Sequence, residues 1–151
     1  MSIEERLRQD LKAAMRAGDT MRKTTIRGAL AALKNAKVAQ NAALAEDDEI
    51  AVLSKEAKQL RDAIVDFERG NRDDLVAQAS AQIDILQEYL PHALDQQEIV
   101  ELIRAAIAET GASSPKEMGQ VMRVLMPRVR GRADGSMVSQ MVRTLLAEQA
   151  Q

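Results

Sequence analysis

The chain has 151 residues, enough for one domain or two small ones that share an interface. Apolar residues make up 46%, with one Phe, one Tyr, no Trp and no Cys. That composition excludes disorder over most of the length, disulfides, thiolate metal sites, a cysteine nucleophile and an aromatic platform for stacking exposed bases. The net charge of −2 hides a strong asymmetry. Residues 1–45 carry 9 Lys/Arg against 4 Asp/Glu, residues 46–110 carry 6 against 16, and residues 111–151 carry 6 against 3. No apolar run approaches the ~18 residues of a membrane span. The first residues, MSIEERLRQD, are charged and lack the apolar segment of a signal peptide. These features lead to the expectation of a cytoplasmic protein without membrane association.

Ser2 with Glu5 three residues later forms a capping-box pattern. It predicts a first helix with Ile3, Leu7, Leu11, Ala14 and Met15 on one face. Gly18 suits the position after its end, where a positive φ is needed. Asp19 then caps a second helix that buries Ile26, Ala29, Leu30, Leu33 and Ala36. Arg22, Lys23, Arg27, Lys34 and Lys37 lie on its other faces, as a solvated surface or as a secondary contact for nucleic acid. Residues 40–48 read as a connection. The acidic run 46–49 suits a helix start, where the macrodipole is positive, better than a metal cluster.

A third helix follows with Ile50, Leu53, Ala57, Leu60, Ile64 and Phe67 in a heptad seam. Gly70 and Asn71 supply a turn into a fourth helix with Leu75, Ala79, Ile83, Leu86 and Leu90 on one side, antiparallel to the third. Pro91 ends that helix near Leu90. The expected class is all-α, with an N-terminal helical bundle or pair of hairpins over residues 1–90 and a three-helix tail over 91–151. In the tail, Asp95 with Glu98 opens one helix, which Thr110-Gly111 closes. Ser114-Pro115-Lys116-Glu117 suggests another capping box, with Pro115 at the first helical position. That helix should end or kink near Pro127, and Asp134 should cap the last one, which runs to about Glu148.

No catalytic constellation is present. His92, the single histidine, follows a proline in the linker and reads as a surface residue rather than a general base. There is no Gly-x-Ser-x-Gly elbow and no Walker-type phosphate loop, and the serines lack a base partner. No cofactor or metal is expected. The binding signal lies between Ser113 and Val142. Arg128, Arg130 and Arg132 alternate across a turn, and Arg123 precedes them on the helix, with Lys116 at its start. Guanidinium groups take phosphate bidentately and stay charged at any relevant pH. Gly119, Gly131 and Gly135 would let a sugar-phosphate backbone approach the main chain. By residue type alone, a merely solubilising role for these arginines weighs equally. Among the nearby methionines, 118, 122 and 141 read as core, while 126 and 137 stay open between core and binding surface.

These residues resemble a known family. Ile83-Leu86-Tyr89-Leu90-Pro91, Glu109-Thr110-Gly111-Ala112-Ser113, Met118-Gly119-x-Val121-Met122 and Gly131-Arg132-Ala133-Asp134-Gly135-x-x-Val138 are similar to the freestanding YqeY-like group of the GatB/YqeY-domain family. So are Thr24-Ile26-Arg27 and Ala32-Leu33-Lys34-Asn35-Ala36. The resemblance covers essentially the whole chain. It implies kinship with the C-terminal helical and tail regions of the GatB component of the aspartyl/glutamyl-tRNA amidotransferase, whose tail contacts tRNA. It therefore implies tRNA as a partner, alone or with an aminoacyl-tRNA amidotransferase or synthetase. Family membership would also suggest carbon–nitrogen ligase activity with glutamine as amido-N-donor. This chain lacks the large catalytic domain of that component, so an accessory or regulatory part in amidotransfer is the alternative to simple tRNA binding. A helical protein-interaction module is a further one. Asp134-Gly135 departs from the GatB pattern at the turn.

Overall fold

The structure, a computed structural model, describes residues 1–150. Among them every regular element is helical, so the fold is all-α. The chain forms two compact units, Met1–Pro91 and His92–Gln151.

The first unit holds α1 (Ile3–Ala17), α2 (Thr20–Gln40), α3 (Glu46–Arg69) and α4 (Asp73–Gln87). Local chemistry sets most of the helix ends. The Ser2 hydroxyl accepts from the Glu5 amide and the Glu5 carboxylate from the Ser2 amide, both at 3.1 Å. Gly18 closes α1 at φ 68°. Asp19 caps α2 by accepting from the Arg22 amide at 3.0 Å. The acidic run starts α3, and Asp48 accepts from the Ala45 amide at 3.1 Å.

Ile3, Leu7, Ile26, Ala29, Leu33, Leu53, Ala57, Ile85, Leu86 and Tyr89 form the core of this unit. A fully buried Leu or Ile contributes about 1.5–3 kcal/mol. Met15, expected inside, is exposed: it lies about 100° round the helix from Ala14, which is the side that α1 buries in its last turn. Only the first half of the α3 seam reaches the core: Leu53 and Ala57 are buried, whereas Ile64 and Phe67 lie outside the core cluster and are half-buried. On α4, Ile85 is buried and Ile83 only half-buried.

Two long-range polar contacts tie the unit together. The buried Glu49 carboxylate accepts from the Glu4 amide at 2.9 Å, satisfying a free N–H of the first turn of α1. The Tyr89 hydroxyl donates to Asp10, and the Arg6 guanidinium lies 5.0 Å from the centre of its ring.

The second unit holds α5 (Gln96–Thr110), a 3-10 turn (Pro115–Glu117), α6 (Met118–Val129) and α7 (Gly135–Gln149). Asp95 and Glu98 make a reciprocal capping box at 2.7 and 2.9 Å, and Gly111 ends α5 at φ 70°. The expected box at Ser114 does not form as predicted. Its hydroxyl makes no capping bond, and Glu117 reaches back to the Ser113 amide instead. The cause is the 3-10 turn: its tighter winding closes the Glu117 amide onto the Ser114 carbonyl at 3.0 Å and shifts the carboxylate by one residue. Pro127 lies inside α6, where it cannot donate to the Arg123 carbonyl, and the helix stops two residues later. The core is Ile99, Ile103, Ala106, Ile107, Ala112, Val121, Leu125, Val129, Val138, Val142 and Leu146, with Met118, Met122, Met126 and Met141 packed around it. Met137 is exposed.

Candidate nucleic-acid interface

The candidate site is organised by α6. Val121, Leu125 and Val129 recur at four-residue intervals and are fully buried, which fixes the rotation of the helix. The opposite face is set by the same geometry. Gly119, Gln120, Arg123 and Pro127 lie on it and are exposed, with Lys116 in the 3-10 turn before the helix and Arg130 just past its end, both exposed as well. Arg128 falls outside that register and points aside.

The arginines have separate fates. Arg128 donates to both carboxylate oxygens of Glu109 on α5, at 3.0 and 2.8 Å. With 39% and 50% of the two side chains exposed, the pair contributes no more than about 1 kcal/mol, but it neutralises the Arg128 charge. Arg132 works on the main chain. Its Nε donates to the His92 carbonyl at 3.1 Å, and its own carbonyl accepts from the Leu94 amide at 2.9 Å. Arg132 thus clamps the entry segment of this unit to the α6–α7 connection. Lys116, Arg123 and Arg130 have no carboxylate within 4.0 Å among the described residues. The structure therefore divides the five cations into two occupied ones and three free ones: Lys116 in the 3-10 turn before α6, Arg123 on its outer face and Arg130 just past its end.

The glycines divide as well. Gly131 adopts φ 75° and is required by the turn. Gly135 opens α7 without positive φ, and a Cβ there would sit 4.0 Å from the Met126 methyl, an ordinary contact. Gly119 has nothing within 4 Å of an added Cβ, so neither backbone conformation nor packing demands a glycine there. It lies between Lys116 and Arg123, with main chain bare to solvent. The N-terminus of α7 is already served: Asp134 accepts from the Ser136 amide at 3.1 Å, so its own carboxylate occupies the place an anion would take.

Gln120 and Pro127 belong to the face and were missed by reading charges alone; counting 3–4 steps from Lys116 finds both. Pairing of Arg128 with Glu109, 19 residues away, and of Arg132 with the linker, 40 residues away, left no local signal. A groove of about 420 Å³ between α5 and α7 is lined by Arg104, Ile107, Ala108, Leu145, Glu148 and Gln149, away from the α6 face. Among the described residues, no group of three or more His, Cys, Asp or Glu is placed to hold a metal ion. No helix among the described residues is long and apolar enough to cross a membrane.

The profile of the family described as Yqey-like protein matches residues 4–146. Relatives named "Altered inheritance of mitochondria protein 41, mitochondrial" match part of the chain. That of Lachancea thermotolerans is 44% identical over 85 residues, 56% of this chain and 46% of the relative. That of Kluyveromyces lactis is 42% identical over 84 residues, 55% and 45% of the two. That of Saccharomyces cerevisiae is 40% identical over 85 residues, 56% and 46%. The aligned stretch spans about half the length of each of these relatives. Their names overturn the expectation of a cytoplasmic protein: these similar proteins are mitochondrial. The expectation rested on missing cysteines, a charged start and the lack of an apolar span, and none of these separates one aqueous compartment from another.

Proposed function

This chain belongs to the Yqey-like protein family, and on that premise we propose that it binds tRNA, or a tRNA–enzyme complex, through the outer face of α6. The observation that carries the proposal is the set of three cations along α6 and its two ends, Lys116, Arg123 and Arg130, left without carboxylate partners among the described residues. A phosphodiester strand is the complementary partner of such a row. Bare main chain at Gly119 lets it come close, and Arg123 and Arg130 offer planar forks for phosphate oxygens. The kinship with the tRNA-contacting tail of the amidotransferase supports tRNA as the source of that strand. In this reading residues 1–90 form a helical domain and residues 91–151 the RNA-contacting tail. Arg128, Arg132, Gly131 and Gly135 build the tail, while Lys116, Gly119, Arg123 and Arg130 meet the RNA.

The test is tRNA binding by the full chain and by the variant Lys116→Glu/Arg123→Glu/Arg130→Glu. The proposal requires loss of affinity with an unchanged melting curve. A second reading, an accessory part in glutamine-dependent amidotransfer, draws on the same kinship. A glutamine-dependent assay with charged tRNA and purified amidotransferase decides it, and an unchanged rate on adding this chain removes it.

A further inference from the structure

The first unit carries a second row of free cations. Residues 1–45 contain four carboxylates, and all four are engaged. Glu4 pairs with Lys37 and Arg8, Glu5 accepts from the Ser2 amide, Asp10 accepts from Tyr89, and Asp19 caps α2. Of the nine cations in that stretch, Arg6 lies over the Tyr89 ring, Arg8 and Lys37 pair with Glu4, and Arg22 pairs with Glu88 at 2.7 Å. Lys12, Arg16, Lys23, Arg27 and Lys34 have no ion pair among the described residues.

Three of these five, Lys23, Arg27 and Lys34, are spaced four and seven residues apart on α2, hence on one face over about 16 Å. That face flanks the buried side of Ile26, Ala29 and Leu33; Arg27 and Lys34 are exposed and Lys23 is half-buried. In contrast, α3 and α4 (residues 46–87) carry 11 Asp/Glu against 5 Lys/Arg. A polyanion is repelled from those helices and attracted to α2.

We infer that the α2 face of Lys23, Arg27 and Lys34 is a second phosphate-backbone contact for the same RNA. The identity of the ligand rests on the tRNA reading above. The contact takes phosphates rather than base edges, so it adds affinity and salt dependence without sequence preference. Two contacts on two units of one chain raise affinity through effective concentration, with the second engagement made intramolecular by the first.

The experiment measures tRNA affinity of the full chain from 50 to 200 mM salt, for wild type, for Lys23→Glu/Arg27→Glu/Lys34→Glu and for the α6 variant above. A neutral α2 set, Lys23→Gln/Arg27→Gln/Lys34→Gln, guards against a charge-reversed chain that does not fold. Both α2 sets are expected to weaken binding at 50 mM salt by roughly tenfold or more and to flatten the slope of log affinity against log salt by about two to three. If they change neither while the α6 variant changes both, this inference is wrong and the α6 reading stands. If the α2 sets weaken binding and the α6 variant does not, the inference stands and the α6 reading fails. Wild type that ignores tRNA at 50 mM salt, or that instead binds vesicles containing anionic phospholipid through these α2 residues, overturns the inference.

Discussion

Replacing Gly119 with alanine should strengthen the fold and weaken the complex. Gly119 is helical without positive φ, and an added Cβ meets nothing within 4 Å. The methyl therefore brings no clash, and it removes backbone freedom from the unfolded chain, a gain of about 0.4–1 kcal/mol. For a unit of about 60 residues this corresponds to a rise in melting temperature of about 2–8 °C. Binding should move the other way. If an RNA backbone lies against the main chain between Lys116 and Arg123, the Cβ pushes it outward and stretches the flanking charge-assisted bonds. Loss of one such bond costs about 1.5 kcal/mol, roughly a tenfold drop in affinity. Thermal melts by circular dichroism and tRNA titrations of Gly119→Ala read the two effects. A more stable protein with unaltered affinity would show that no ligand approaches Gly119. A less stable protein would refute the view that the fold has no need of the glycine.

Three further outcomes follow from the polar contacts. Tyr89→Phe removes the hydroxyl that donates to Asp10 but keeps the buried ring, and should cost about 1.5–3 kcal/mol in denaturant unfolding. Burial, then the bond to and charge of Asp10, raise the Tyr89 pKa above its usual value near 10. The unfolded chain releases that proton first, so wild-type stability relative to Tyr89→Phe should hold below pH 10 and fall as pH rises beyond it. A difference that is flat through pH 11 would contradict the assignment. Asp95→Ala removes a working cap and should cost about 1 kcal/mol, whereas Ser114→Ala, at a position with no capping bond, should stay within about 0.5 kcal/mol of wild type. Equal losses would restore the box that the 3-10 turn displaces. Arg132→Lys loses the Nε donor to His92, and amide exchange at Leu94 should quicken in that variant; unchanged exchange would remove Arg132 as the clamp.

What the sequence made legible was local. Ser2 with Glu5, Asp19, Asp95 with Glu98, Gly18 and Gly111 each act within four residues, and every one appears where its pattern placed it. The clean heptad of α3 misled about depth, because the period reports which face is apolar and not how many neighbours cover it; Ile64 and Phe67 remain half-buried. The polar partners of Glu49, Tyr89, Arg128 and Arg132 lie 45, 79, 19 and 40 residues away, and only the fold brings them together. That limit bears directly on the candidate site. Reading charges along the chain drew attention to the turn at 128–132, but two of its three arginines are engaged inside their own unit. The free row lies one helix face over, with Arg130 the single residue common to both.

The most direct measurement of the central claim is the salt dependence of tRNA affinity for wild type beside Lys116→Glu/Arg123→Glu/Arg130→Glu. Three neutralised phosphates give a slope of log affinity against log salt of about −2.7, or about 40-fold between 50 and 200 mM. The α2 contact steepens the wild-type slope further. The account predicts that the α6 variant flattens the wild-type slope by about 2–3 and lowers affinity throughout. A variant that melts like wild type and binds tRNA with the same affinity and the same slope would contradict it.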